Sequence, residues 1–189
     1  LDQLIWYPRK RSSKVERSVI VSPETFVQVW EIYDKAFPQE EKRALEQQQA
    51  LLTNELYRVF PYFDETNREV LGFITLWDLP DFTFWEHLAV KETFRGQGIG
   101  SKIIEETRKV SSKNIIFEVE LPETEVAQRR IGLYKRLGFH LNDYPYFQPP
   151  YQANTLGVDM LIMSSPNPLS ATEFMEIKNT LYKEVYHWA

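Results

Sequence analysis

Apolar positions along the chain recur at two spacings, and the changes between them divide it into elements. Val15 to Val21 reads as a strand. Ser22-Pro23-Glu24 then supplies an N-cap with proline at the first helical position. Phe26, Val29, Trp30 and Tyr33 follow at three- and four-residue spacing and predict one apolar helix face, ended by Pro38. Glu40 to Leu52, dense in Glu, Lys, Arg and Gln, predicts a second helix. Strands are expected over Leu56 to Phe63 and Glu69 to Trp77, joined by the polar turn Asp64-Glu65-Thr66-Asn67. A further strand, Phe82 to Val90, runs into a glycine-rich stretch and a helix over about Ile99 to Val110. Ile115 to Glu120 is a strand, Thr124 to Leu137 a helix closed by Gly138, and Phe139 to Leu141 opens another strand. A long loop is expected over Asp143 to Leu156, then a strand over Val158 to Met163. The capping box Ser170-Ala171-Thr172-Glu173 starts the last helix, within residues 168–189.

The order is an antiparallel meander followed by a βαβ unit, then α, β, loop, β and α. It predicts a mixed α+β class in a single domain over residues 1–189, with a flexible segment at 1–14. Hydrophobic residues make up 43% of the chain, enough to exclude disorder through apolar poverty. The formal net charge of −5 opposes a duplex nucleic-acid partner. The basic run from Arg9 to Arg17 is expected to be a solvated tail. Without cysteine there is no disulfide, thiolate metal site or cysteine nucleophile. No stretch approaches the roughly 20 apolar residues of a membrane span. Leu1-Asp2-Gln3-Leu4-Ile5-Trp6 lacks the order of a signal peptide, so a cytoplasmic location is expected.

The most distinctive segment is Arg95-Gly96-Gln97-Gly98-Ile99-Gly100, set between a strand and a helix. Glycines at every second position let main chain approach a ligand without Cβ obstruction. The first amides of the following helix lack intrahelical partners and sit at the positive end of its dipole, a site for phosphate. Arg95 adds charge. A dinucleotide-binding turn would be G-x-G-x-x-G with an acidic residue about 20 positions on. Glu120 fits that offset from Gly100, but the glycine spacing does not. A P-loop needs Gly-Lys-Ser/Thr, and Gly100-Ser101-Lys102 reverses that order.

Arg95-Gly96-Gln97-Gly98-Ile99-Gly100 resembles the Arg/Gln-x-x-Gly-x-Gly/Ala signature of the GNAT superfamily of acyl-CoA-dependent N-acetyltransferases. Leu88-Ala89-Val90 stands in the customary place before it. Ile131 to Phe139, with Tyr134-Lys135-Arg136-Leu137-Gly138-Phe139, is similar to the family's Tyr-x-x-x-Gly-Phe element. By order of elements the resemblance covers Val15 to Met163. It implies a mostly antiparallel twisted sheet splayed between strands four and five, with helices on both faces and acetyl-CoA as co-substrate. It further implies that main chain at Leu88, Ala89 and Val90 pairs with the pantetheine arm. The segment Arg95, Gly96, Gln97, Gly98, Ile99, Gly100 and Ser101 would hold the pyrophosphate, and Tyr134 would point at the thioester sulfur. Many members carry asparagine seven residues before this tyrosine. Here that place is Ala127, leaving its contact absent or supplied by Gln128 or Arg129.

Amide formation requires an amine without its proton, whereas a lysine-like amine has a pKa of about 10.4. Glu86 is the first candidate base, since it precedes the glycine turn on the same strand. Regular alternation places Glu86 and Leu88 on one face and Trp85 and His87 on the other, unless a bulge intervenes. His87 has the ordinary pKa for base work near neutrality but reads equally as a core group. Tyr134 suits donation to the departing thiolate. Glu118 and Glu120 alternate in their strand and could wall an amine pocket, together with Phe37, Glu40, Trp77, Tyr146 and Asp78. No His-x-x-x-His or carboxylate cluster predicts a metal. The expected reaction is direct acetyl transfer to a primary amine. The alternative is an acyl-CoA sensor without catalysis. Family resemblance also allows a homodimer, and the acceptor's identity is open.

Overall fold

In the computed structural model, which describes residues 21–66 and 68–188, Ser22 Oγ accepts from the Thr25 N–H at 3.2 Å. With Pro23 at its start, this cap opens helix α1, Pro23–Ala36. The predicted strand at Val15, the basic run and the N-terminal segment lie outside the described residues. These residues form two units.

The first unit contains residues 21–37, 44–78 and 86–112. Strands β1, Tyr57–Phe63, and β2, Val70–Asp78, pair antiparallel, with Tyr57 opposite Trp77 and Tyr62 opposite Gly72. Asp64 closes their turn by accepting from the Thr66 hydroxyl at 2.6 Å and from the amides of Arg68 and Glu69. These bonds hold its carboxyl at about 2, below the usual range. Gln28 ties α1 to β2 by donating to Arg68 O and accepting from the Val70 N–H. Tyr33, Phe73, Ile74 and Trp77 form the core, each at most 1% exposed.

The expected helix over Glu40 to Leu52 is shorter. A 3-10 turn occupies Gln39–Glu41, helix α2 is confined to Leu45–Ala50, and a second 3-10 turn covers Leu51–Thr53. Lys42 is extended and Arg43 buried, because the second unit takes up residues 38–43. There Arg43 donates to Val185 O at 3.3 Å and stacks over the Tyr151 ring. Tertiary contacts override local helix propensity. Strand β3, Phe82–Val90, continues from the second unit into the first and leads to helix α3, Ile99–Val110. Ile99, Ile103 and Ile104 of α3 are buried at one-turn spacing.

In the second unit, Phe82–Trp85 of β3 pairs parallel with β4, Asn114–Glu120, from Phe82 opposite Asn114 to Trp85 opposite Phe117. That ladder ends there, although β3 runs to Val90 and β4 to Glu120. β4 pairs antiparallel with β6, Val158–Ser165, which pairs antiparallel with β5, His140–Gln148. The six-stranded mixed sheet has the order β1-β2-β3-β4-β6-β5.

The first part of the loop expected over Asp143 to Leu156 is instead the second half of β5, as far as Gln148. Pro145 is accommodated because β5 is the last strand and the register slips between Asn142 and Tyr146. Tyr144 and Tyr146, two residues apart, both turn toward helix α5, Ala171–Glu184, where Tyr144 stacks on Phe174 and Tyr146 packs against Tyr182. The capping box is present: Ser170 Oγ accepts from the Glu173 N–H and Glu173 Oε2 from the Ser170 N–H.

Helix α4, Glu125–Arg136, starts where Thr124 Oγ1 accepts from the Ala127 N–H at 3.1 Å, and ends before Gly138 at φ +83°. Thr124→Ala is expected to lower stability by about 1 kcal/mol through loss of this cap, read as a lower midpoint in chemical denaturation.

Candidate active site

In the first unit, β3 passes through a 3-10 turn at Glu92–Phe94 to Arg95 and the glycines. Gly96 and Gly98 have φ of +79° and +78°, and a Cβ at either would meet nothing within 4 Å. Backbone conformation, not crowding, therefore demands glycine at both. Gly98 caps α3, and the helix ladder begins with Lys102 N–H donating to Gly98 O at 3.1 Å. The amides of Ile99, Gly100 and Ser101 thus precede the first helical bond. No acidic residue occupies the first turn of α3 to compete for them. Gly98 and Gln97 are exposed, Gly100 and Ser101 half-buried, and Ile99 buried. Arg95 is exposed and bends back so that its Nε donates to Val90 O at 3.2 Å. Gln97 donates to Thr93 O. Ala89 is buried, with Leu88 and Val90 half-buried on either side.

Glu86 and His87, neighbours on β3, approach each other through their side chains. His87 Nδ1 lies 3.4 Å from Glu86 Oε2, and both side chains are almost wholly buried. The His87 N–H donates to a side chain, Thr75 Oγ1 at 3.1 Å. Tyr33 and Phe37 present edges to the imidazole with centroids 4.8 and 4.7 Å away. Phe37 is thus joined to His87. Glu40 is exposed in its 3-10 turn. Trp77 is 1% exposed and packs edge-on to Tyr57, which accepts a hydrogen bond from Gln48. That burial places Trp77 in the core of its unit.

In the second unit the Tyr134 ring packs against Phe117 at 4.7 Å and Phe139 at 6.2 Å, and Trp85 contacts the same two rings. Burial pushes the Tyr134 phenol up, the Arg130 charge opposes this, and Glu120 adds to it. Net, the hydroxyl keeps its proton at neutral pH. Glu120 pairs with Arg130 at 3.1 Å, both partly exposed. At the position of the family's asparagine, Ala127 is buried, and the Gln128 side chain donates to Pro122 O.

Glu118 engages different partners. Tyr146 and Gln148 reach it across β6: Tyr146 donates at 2.5 Å and Gln148 Nε2 at 2.7 Å. Tyr186, just beyond α5, donates to both carboxylate oxygens at 2.8 and 2.7 Å. Burial, then the Glu118 charge, raises the Tyr146 phenol well above its ordinary value. The structure thus unites Glu118 with Tyr146, two residues singled out in sequence, and adds Gln148 and Tyr186. Gln148 falls within the loop expected over Asp143 to Leu156. Tyr186 carried no local signal, since it stands 68 residues from Glu118.

Residues 56–141 match the Acetyltransferase (GNAT) domain. A Bacteroides thetaiotaomicron structure assigned to the acetyltransferases of the GNAT family is 31% identical, with a TM-score of 0.81. The match covers 87% of this chain and 93% of that one. The chain belongs to the GNAT family of acetyltransferases. It is accordingly an acyltransferase. YjbC of Bacillus subtilis (strain 168), also assigned as an acetyltransferase, is 26% identical over 162 residues, covering 83% of this chain and 80% of YjbC. The GNAT fold is shared with NAA60 of Arabidopsis thaliana, solved with acetyl-CoA. That match is 17% identical, has a TM-score of 0.58, and covers 76% of this chain and 94% of NAA60. Among the described residues of this GNAT protein, no His, Asp and Glu group could hold a metal ion, and no helix is long and apolar enough to cross a membrane.

Proposed function

We propose that this GNAT protein transfers the acetyl group of acetyl-CoA to a primary amine by direct attack. The observation that carries the proposal is the glycine turn at the start of α3. Its left-handed Gly98 and the amides of Ile99, Gly100 and Ser101 suit the pyrophosphate of CoA. Arg95 supplies nearby positive charge, with Gly96 and Gln97 shaping the approach. Leu88, Ala89 and Val90 offer strand main chain to the pantetheine arm. The solved acetyl-CoA complex of NAA60 supports the choice of co-substrate.

In the proposed reaction Glu86 accepts the ammonium proton, directly or through water, and His87, 3.4 Å away, is placed to share it. The amine lone pair attacks the thioester carbonyl carbon. The C–N bond forms, the C–S bond breaks on collapse of the tetrahedral adduct, and the electron pair leaves on sulfur. Tyr134, kept protonated by burial, gives its hydrogen bond or proton to that thiolate. Glu118 and Tyr146 form part of the acceptor wall, to which Phe37, Glu40 and Glu120 remain proposed contributors.

Calorimetry with acetyl-CoA, paired with thiol release across a panel of primary amines, tests the reading. Binding with amine-dependent release is expected. Binding without release over the whole panel would favour the acyl-CoA sensor. Absence of binding would remove both readings.

A further inference from the structure

We infer that Gln148 recognises the acceptor, its side-chain oxygen taking a hydrogen bond from an N–H group of the substrate other than the reacting amine. This rests on the reading of Glu118 and Tyr146 as acceptor wall. Gln148 is 4% exposed, and its amide has one allowed orientation. Nε2 faces Glu118 Oε2 at 2.7 Å and the Tyr186 oxygen at 3.2 Å, and an ionised carboxylate can only accept. The NH2 group must point at Glu118, which directs Oε1 away from it. That oxygen is buried and receives no hydrogen bond among the described residues. A buried carbonyl oxygen without a donor is costly, so the site asks for one.

The donor belongs to a part of the substrate remote from the reacting nitrogen, for a reason set by β4. Phe117 and Glu118 are neighbours on that strand and project to opposite faces. Phe117 meets the Tyr134 ring, whereas Glu118 meets Tyr146, Gln148 and Tyr186. Gln148 thus lies away from the Tyr134 ring, and the N–H it accepts belongs to a portion of the acceptor other than the reacting amine. Arg43 stacks on Tyr151, whose hydroxyl lies 3.3 Å from that of Tyr186. The inferred class of acceptor is an amine bearing a second N–H donor.

The test compares kcat/KM for 1,3-diaminopropane and 1,4-diaminobutane with butylamine and pentylamine, in which a methyl replaces the distal amino group. The wild-type protein is expected to prefer each diamine at least tenfold, since a site built for a hydrogen bond rejects the analogue that lacks it. In Gln148→Met that preference is expected to fall to about twofold. A wild-type ratio near one, or a ratio unchanged in the variant, would overturn the inference while leaving acetyl transfer intact. Thiol release with none of the amines would overturn both. If Gln148→Met does not fold, Gln148→Leu replaces it in the same comparison, and a wild-type ratio near one still overturns the inference.

Discussion

Gly100→Ala is expected to weaken acetyl-CoA binding at least tenfold while the thermal midpoint holds or rises. Unlike Gly96 and Gly98, Gly100 is not among the residues of positive φ. A Cβ there would stand 3.7 Å from Val90 Cγ2, an ordinary contact. The free protein thus gives no steric reason for glycine. Alanine in a helix is favoured over glycine by roughly 0.5–1 kcal/mol. The new methyl would instead obstruct a diphosphate approaching the amides at the start of α3. A tenfold loss corresponds to about 1.4 kcal/mol. Gly98→Ala is the contrasting variant: at φ +78° it forces a left-handed alanine, costing about 1–2 kcal/mol, and should lose stability and affinity together. Differential scanning fluorimetry with calorimetry separates the two. Unchanged affinity in Gly100→Ala would place the phosphates elsewhere.

The second large effect is expected at Tyr134. Replacing it by phenylalanine keeps the ring against Phe117 and Phe139, so the fold should survive. What goes is a hydroxyl that burial holds protonated. Loss of a general acid typically costs 10²-fold or more. Turnover should fall about 100-fold, with acetyl-CoA affinity changed less than about twofold. A phenol raised above its usual value of about 10 stays competent as a donor throughout the neutral and mildly alkaline range and is lost only above it. The wild-type rate should therefore show no alkaline fall below about pH 10 that is absent from Tyr134→Phe. Unchanged turnover in the variant would remove Tyr134 from the mechanism.

Features decided by neighbouring residues were legible in the sequence. The Ser22-Pro23 cap, the bounds of α3 and the Ser170 capping box depend on side chains three or four positions apart. The glycine turn was equally readable, because positive φ at Gly96 and Gly98 is a local demand. Elsewhere, distant contacts decided the outcome. The helix expected from Glu40 begins only at Leu45 because Arg43 is drawn to Val185, 142 residues along the chain. Strand β5 was hidden by Pro145, which a terminal strand with a register slip can accept. The meeting of Glu86 with His87, which alternation assigns to opposite faces, is a matter of side-chain geometry that spacing alone does not forecast. Glu118 and Tyr146 were singled out separately. Their bond, and the addition of Gln148 and Tyr186, depended on strand order and on where α5 ends.

The central claim is that main-chain amides at the start of α3 hold the diphosphate of CoA. Its most direct test is a 15N-resolved NMR titration of the protein with CoA. The amide signals of Gln97, Gly98, Ile99, Gly100 and Ser101 are expected to show the largest shifts and to saturate together. Binding that leaves these five signals in place while others move would contradict the claim.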